Sequence, residues 1–230
     1  MQIQHYSTGE ARTAFSPTGH DKFFKASVAG SRVPSRLTSE VLLPDSLPLP
    51  TDRPVLIAAN HSSMFDLPAA LILLGHFGLT TAIGVNSRYF KGPVGPFFRK
   101  LGCIPFSRED RESAEQSMVA ALVDNQTCAI MPEGKIVREK DWVDGYVGPA
   151  RPGVSRIARR AGAAVLPIGF AHSNTAWPPG TPLPKVRNRR QPIIGTAGDL
   201  LWFDTDDHEA NAAAVMAAIS DCVRAGRNTP

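Results

Sequence analysis

Cysteine is scarce in this chain, and the three residues that occur are far apart. Cys103, Cys128 and Cys222 show neither the paired spacing of zinc ligands nor the pattern of a disulfide framework. The six histidines do not complete a metal-binding cluster with them. The sequence therefore predicts a protein that binds no metal and works in a reducing compartment.

Long apolar runs are also absent. The longest apolar stretch, residues 67–85, is interrupted by Gly75, His76 and Gly78, so it is too broken to form a membrane-spanning helix. The first fifteen residues, MQIQHYSTGEARTAF, lack a basic segment followed by an apolar one, so they do not resemble a secretory signal. We therefore expect a soluble or peripheral protein.

Acidic residues do not dominate the charge. The 230-residue chain has 25 Lys and Arg against 21 Asp and Glu, which gives a net charge of +4. This balance favours an anionic partner, which could be a phosphate ester, an anionic lipid surface or a nucleic acid. No recognised nucleic-acid-binding motif accompanies the charge, so we expect no nucleic-acid partner.

After a proline-rich connector at 44–54, apolar runs alternate with helix-like stretches in a βαβ rhythm. Strands are predicted at 55–59, 81–85, 103–106, 127–131, 164–170 and 192–197. Helices are predicted at 65–74, 111–123, 154–161 and 208–223. The pattern indicates an α/β fold with a largely parallel central sheet flanked by helices.

The chain is expected to divide into an N-terminal helical arm, residues 1–39, and a single domain, residues 40–230. Residues 1–20 are polar and are expected to be mobile. A short helix is predicted at 21–33, DKFFKASVAGSRV, where Phe23 and Phe24 are either exposed for membrane contact or docked on the domain.

An imidazole and a carboxylate follow the first predicted strand in the stretch AANHSSMFDLP. On one helix His61 and Asp66 would lie roughly 140° apart, and on one strand they would point to opposite faces. They can meet only if His61 lies on a loop and Asp66 in the first turn of a helix. The carboxylate could then keep one ring nitrogen protonated while the other accepts a proton from a hydroxyl. The alternative is a simple capping box, Ser63-x-x-Asp66.

Four short blocks resemble those of a known family. The stretch NHSSMFD at 60–66, with its His-x4-Asp spacing, resembles the NHxSxxD block of the glycerolipid acyltransferases, the lysophosphatidic acid acyltransferase family. GCIPFSR at 102–108, PEG at 132–134 and VLPI at 165–168 resemble the next three blocks of that family, in the same order. The resemblance covers residues 40–171.

This resemblance implies the glycerolipid acyltransferase fold and an O-acyltransferase activity. His61 would be the general base and Asp66 its orienting partner, and the acceptor hydroxyl would attack an acyl thioester directly. The donor would be acyl-CoA or an acyl carrier protein, with no cofactor. The simplest acceptor is 1-acylglycerol 3-phosphate, which would give phosphatidic acid in phospholipid biosynthesis. The sequence lacks the G-x-S-x-G elbow that a serine nucleophile would use.

The same resemblance assigns a set of residues to substrate binding: Asn60, Ser63, Arg108, Glu133 and Gly134. The guanidinium of Arg108 could clamp a phosphate, since its shape matches that anion. The alternative is a solvated helix start capped by Ser107-x-x-Asp110.

The chain departs from the family after Gly134, where Lys135-Ile136 replaces Thr-Arg. We expect Lys135 or the displaced Arg138 to supply the missing cation. Because of this departure, a glycolipid or another lysolipid stays an alternative acceptor. A non-catalytic lipid-binding relative is a further alternative.

Aromatic and cationic residues interleave at 86–91 and 96–100, a pattern that suits a membrane interface. We therefore expect a cytoplasmic protein bound peripherally to the inner face of the membrane, unless the rings are core residues and the cations simply solvated. Arg156, Arg159 and Arg160 form either a solvated helix face or a coenzyme or headgroup site. His172 is interpreted as a structural histidine, and the basic cluster at 185–190 as a solvated surface.

Overall fold

The computed structural model describes residues 20–124, 127–144, 146–181, 183–184 and 191–229. The N-terminal segment 1–19 and the basic cluster 185–190 lie outside the described residues.

A seven-stranded sheet forms the centre of the protein, in the order β1-β7-β6-β2-β5-β3-β4. All neighbouring strands are parallel except β6 and β7. The largely parallel α/β sheet predicted from the sequence is therefore confirmed. The strands are β1 (Val41–Leu42), β2 (Val55–Ala59), β3 (Thr81–Asn86), β4 (Ile104–Phe106), β5 (Thr127–Ile130), β6 (Ala164–Ala171) and β7 (Ile193–Ala197).

In the part of the chain that the structure describes, seven α-helices flank the sheet: α1 (His20–Thr38), α2 (Asp66–His76), α3 (Gly95–Lys100), α4 (Arg111–Val123), α5 (Gly153–Ala161), α6 (Ser173–Ala176) and α7 (His208–Arg227). The five predicted helices are present, α4 with the predicted ends and the other four with shifted ends. The first one continues past Pro34, although proline removes one backbone hydrogen bond. The sequence reading missed β1, α3 and α6, which are too short to show a period.

The two faces of the sheet have separate hydrophobic cores. Val55, Ile57 and Ala59 of β2 pack with α2 on one face, whereas Leu56 and Ala58 pack with α4, α5 and α7 on the other. The chain leaves β2 in one direction, toward β3, and leaves β5 in the other, toward β6. Right-handed crossovers then place α2 and α5 on opposite faces. A crevice at the carboxyl ends of β2 and β5 is the expected result.

Helix α1 docks on α2 through its apolar side. Phe24 and Val28 are buried in the same core as β2, so Phe24 is docked rather than exposed. Val28 lies directly over Gly75, where an added Cβ would come within 2.4 Å of its Cγ1. The close contact of the two helices therefore requires glycine at position 75.

The aromatic rings at 86–100 also pack inward. Phe98 is buried, and Tyr89, Phe90 and Phe97 surround it with ring centroids 5.4–5.9 Å from its own. The cations between them are exposed. Phe98 therefore belongs to the core and the other three rings are partly buried against it, while membrane contact by this segment stays a prediction. In the described ranges, no helix is both long and apolar enough to cross a bilayer.

Candidate active site

His61 and Asp66 meet where β2 turns into α2. The Nδ1 atom of His61 lies 3.0 Å from Oδ2 of Asp66. Because a carboxylate can only accept, Nδ1 is the donor in this contact, and in the neutral ring Nε2 is then the proton acceptor. The His61 side chain is 24% exposed and that of Asp66 is fully buried. The arrangement can therefore present a basic ring nitrogen to a molecule at the surface.

Asp66 also closes the turn that precedes α2. Its Oδ2 accepts the backbone N–H of Ser63 at 2.7 Å, whereas in the described part of the chain no side chain caps the helix at Phe65. One carboxylate therefore both binds His61 and fixes the Ser63-x-x-Asp66 turn. Its other oxygen, Oδ1, is buried and lacks a hydrogen-bond partner among the described residues.

The side chains of Asn60 and Ser63, on either side of His61 in the sequence, form hydrogen bonds within the protein. The Ser63 hydroxyl is buried, donates to the carbonyl of Trp177 at 2.8 Å and accepts from the Phe65 N–H at 2.9 Å. Asn60 is also buried, and its amide exchanges two hydrogen bonds with the backbone of Phe170, at 2.8 and 3.2 Å. The sequence assigned Asn60 and Ser63 to substrate binding. In the structure their side chains form hydrogen bonds with backbone groups around the start of the loop that carries His61, and their contact with a substrate stays a prediction.

Glu133 lies just after β5, the strand next to β2, and holds His61 in place. One carboxylate oxygen accepts the backbone N–H of His61, and the other accepts that of Gly148 at 2.8 Å. The carbonyl of His61 accepts from Val137 at 2.8 Å. Both backbone polar groups of His61 are thus bound by the connection between β5 and α5.

The position of Glu133 differs from the expectation that it contacts the acceptor. Its side chain is buried, and both oxygens are already occupied. Burial raises the pKa of Glu133 to about 7, against the lowering effect of the two N–H donors and of His61. The nearby charge of Asp66 raises this pKa further.

Gly134 opens the exposed part of the same connection. Its φ of +66° is in the left-handed region, and its N–H donates to the carbonyl of Met131 at 2.9 Å. Lys135 and Arg138 follow on the surface, and a terminal nitrogen of Arg138 lies near Gly180, 3.6 Å from the site of an added Cβ. The structure therefore places both expected cations on the loop that holds His61.

Arg108 lies at the same edge of the sheet but farther away. It is exposed and lines a cleft with Arg111 and Arg156, together with three glutamates. Its strand, β4, is three positions from β2, which corresponds to about 14 Å across the sheet. The Ser107 hydroxyl accepts the Asp110 N–H at 2.8 Å in the turn before α4, but among the described residues no side chain accepts a hydrogen bond at the N-cap of that helix, so the predicted cap is only partly formed.

The arginines of α5 have carboxylate partners. Arg156 binds Glu115 with two hydrogen bonds, 2.6 and 2.9 Å long. Arg159 binds Asp206 at 3.0 Å, and Arg160 binds Glu112 at 2.8 Å. Because their charges are already paired, these arginines form a structural, solvated helix face rather than a coenzyme site.

His172 follows β6 and is buried in a left-handed conformation, with a φ of 65°. Its Nε2 lies 3.2 Å from the side-chain nitrogen of Gln191. Burial, with a contribution from Arg227, lowers the pKa of His172. These features fit the structural role expected from the sequence. Within the described ranges, no three His, Cys, Asp or Glu side chains come together as metal ligands would.

Sequence reading missed Val137, Gly148 and Arg151, which the structure places around Glu133. Val137 and Gly148 act through backbone groups, which leave no signal in a sequence. Arg151 stands directly before the Pro-Gly pair that begins α5, and only its contacts in space distinguish it.

Known proteins share this arrangement of strands and helices. A solved structure, the 1-acyl-sn-glycerophosphate (LPA) acyltransferase PlsC from Thermotoga maritima, matches with a TM-score of 0.65 and 22% identity. The match covers 93% of this chain and 80% of that one. It supports the predicted fold.

Sequence comparison gives two further matches. A chloroplastic 1-acyl-sn-glycerol-3-phosphate acyltransferase of Brassica napus is 26% identical over 66% of this chain and 44% of its own length. The present chain thus spans less than half of that relative. Residues 42–171, more than half of the chain, match the profile of the Acyltransferase family. The chain belongs to the Acyltransferase family.

Proposed function

We propose that this protein transfers a fatty acyl group from a thioester to the free hydroxyl of a lysophospholipid, most simply 1-acylglycerol 3-phosphate. The observation that carries the proposal is the contact between His61 and the buried Asp66, with the ring partly exposed at the carboxyl edge of the sheet. Family membership supports the same reaction class.

In the proposed reaction, Nε2 of His61 takes the proton of the acceptor hydroxyl as its oxygen attacks the thioester carbonyl. A C–O bond forms, and the C–S bond then breaks. The departing thiolate takes the proton from the His61 imidazolium and leaves as a thiol. Asp66 keeps the ring in the correct orientation and stabilises its charged form.

Direct transfer, without an acyl-enzyme, is supported by the serines beside the base. The Ser62 hydroxyl is buried and lies 3.1 Å from that of Ser173. The Ser63 hydroxyl is buried and bonded to Trp177. Neither is presented as a nucleophile, so the acceptor hydroxyl itself is the attacking group.

The proposed donor is acyl-CoA or an acyl carrier protein, which enters as a co-substrate, and no further cofactor is required. We also propose peripheral binding to the cytoplasmic face of the membrane. The net charge of +4 supports it, as do the exposed cations Arg88, Lys91, Arg99 and Lys100. With the neighbouring rings packed inward, this attraction is electrostatic.

The test is a panel of lysolipid acceptors with one acyl-CoA, followed by thiol-release measurements and mass spectrometry of the product. We expect phosphatidic acid from 1-acylglycerol 3-phosphate and no product with His61→Ala. Thiol release that is equally fast without any acceptor would instead indicate a thioesterase. Binding of lysolipid without turnover would indicate a non-catalytic relative.

A second candidate acceptor is an uncharged glycolipid or another lysolipid. The specific observation that favours it is the Lys135-Ile136 pair in place of Thr-Arg. Faster turnover of an uncharged acceptor in the same panel would support this alternative.

A further inference from the structure

Arg151 lies against Gly134, immediately beside the residue that holds His61. Its Nε donates to the carbonyl of Glu133 at 3.0 Å, and its backbone N–H donates to the carbonyl of Pro132 at 3.1 Å. A Cβ added to Gly134 would come within 2.8 Å of Nε and 3.0 Å of Cδ of Arg151. Because Gly134 has no side chain, the guanidinium of Arg151 can occupy this position.

Unlike the arginines of α5, Arg151 has no carboxylate partner among the residues that the structure describes. Among the described residues, no Asp or Glu forms an ion pair with Arg151, and only its Nε takes part in a side-chain hydrogen bond. An arginine side chain has five N–H donors in a planar fork. Arg151 is half-buried, so the unused donors belong to a cation that is partly removed from water.

The guanidinium is also tied to the catalytic base. Glu133 binds His61 through its carboxylate and Arg151 through its carbonyl, so one residue connects the two. Arg108, by contrast, follows β4, which lies about 14 Å from β2 across the sheet. In 1-acylglycerol 3-phosphate, the phosphate is carried by the carbon next to the one with the free hydroxyl. A group that binds this phosphate must therefore lie close to the base.

We propose that Arg151 binds the phosphate of the acceptor while His61 takes the proton from its hydroxyl. This inference rests on the proposed function and names the cation that recognises the substrate. The planar fork can make paired, charge-assisted hydrogen bonds to a phosphate. The phosphates of acyl-CoA have the same chemistry, so the experiment must distinguish acceptor from donor.

The experiment compares Arg151→Ala and Arg151→Lys in the full chain. Arg53→Ala is the matched control, since it removes the same charge at the amino-terminal end of β2, where Arg53 pairs with Asp52 at 3.2 Å. For each protein, kcat and KM are measured with 1-acylglycerol 3-phosphate and with monoacylglycerol. We expect Arg151→Ala to raise the KM for the phosphate-bearing acceptor roughly 10- to 100-fold. The KM for monoacylglycerol should stay unchanged, and Arg151→Lys should be intermediate.

A second arm replaces acyl-CoA by the N-acetylcysteamine thioester of the same acyl chain, which has no phosphate. If Arg151→Ala raises the KM only for acyl-CoA, the ligand is the donor and the proposal is overturned. An equal loss with both acceptors would mean that Arg151 only supports Glu133, which also overturns it. Thermal unfolding of both variants detects such a structural effect.

Failure of this inference can be told apart from failure of the proposed function. Wild-type protein that acylates no lysolipid would contradict the function itself. Wild-type activity whose preference for the phosphate-bearing acceptor persists in Arg151→Ala contradicts only the role of Arg151. Competition by glycerol 3-phosphate is a further readout, and its inhibition constant should rise in Arg151→Ala but not in Arg53→Ala.

Discussion

The backbone N–H of His61 donates to the carboxylate of Glu133, so a side chain from the end of β5 holds the proposed base at the end of β2. Val137 binds the carbonyl of the same histidine at 2.8 Å. With both backbone groups fixed and Nδ1 bound to Asp66, the ring has little freedom to turn. The geometry that proton transfer needs is therefore set before a substrate arrives.

Replacing His61 by alanine should abolish acyl transfer but leave folding nearly intact. Loss of a general base typically lowers the rate by about 10²–10⁴-fold. The side chain is 24% exposed and lies on a loop, so the chain should still fold, with a modest loss of stability from the broken contact with Asp66. Thiol release and thermal unfolding measure the two effects. The control is His76→Ala, which removes an exposed histidine at the other end of α2. Near-normal turnover of His61→Ala would contradict the proposed mechanism.

Asp66→Asn should lower kcat strongly with a smaller change in KM. The amide can no longer act as a full negative charge beside the imidazolium, and it can turn a donor toward Nδ1. Because Asp66 is buried and also accepts the Ser63 N–H, we expect some loss of stability as well. Steady-state kinetics with denaturant unfolding separates these effects. A variant with normal kcat and lowered stability would mean that Asp66 acts only through its hydrogen bond with Ser63.

Glu133 should make the stability of the protein depend on pH in a defined window. Its pKa is about 7 in the folded protein, above the ordinary value of 4.5. The folded state thus holds this proton more tightly, so the stability contribution is fully present below pH 4.5 and is lost as pH rises toward 7. The Glu133→Gln variant lacks this pH dependence because an amide does not ionise in this range.

The free energy of unfolding should therefore be measured from about pH 5 to about pH 9 for wild type and Glu133→Gln. We expect the wild type to lose stability relative to the variant as pH rises, with a constant difference above about pH 8. Since a glutamine can accept with only one of its two end groups, the variant should also have a lower kcat. Parallel stability curves would contradict the assigned pKa.

Binding to anionic vesicles should weaken as salt increases. The Debye length is about 10 Å at 0.1 M salt, so exposed cations lose their attraction to lipid phosphates above that concentration. Co-sedimentation with anionic and neutral vesicles measures this, and a variant with alanine at 88, 91, 99 and 100 should bind less. Binding that ignores both salt and lipid charge would indicate apolar insertion instead.

Arg108→Ala should raise the KM for phosphate-bearing lysolipids by a smaller factor than Arg151→Ala. Arg108 is exposed and about 14 Å of sheet from β2, so it can contribute only at the outer end of the acceptor. Arg108→Lys should recover part of the effect. Acceptor kinetics for both variants, together with Lys135→Ala and Arg138→Ala, ranks the four cations by how much their loss raises the KM for the phosphate-bearing acceptor. A larger effect at Arg108 would reverse the assignment.

The strands around the site could be predicted because they are short apolar runs between clear breaks. The start and end of β2 were predicted correctly from Pro54 and from the polar residues that follow Ala59. The contact of His61 with Asp66 was also foreseeable, since a spacing of five residues allows it only across a turn. Such local patterns are what a single sequence carries.

Contacts between distant segments could not be predicted in the same way. The amide of Asn60 binds Phe170, 110 residues later, and Glu133 binds a residue 72 positions earlier. Both side chains are polar and follow a strand, which is also how a substrate-binding residue looks in a sequence. Only the positions of their partners show that they hold the loop that carries His61.

The attachment of His61 to Glu133 and Val137 has a consequence for how this framework can evolve. An insertion or deletion between 133 and 137 would shift one anchor of the base relative to the other, so changes in length there should be selected against. Exchange of the side chains at 135 and 136 leaves both anchors in place. New acceptors should therefore arise in relatives of this protein by substitution within a segment of constant length.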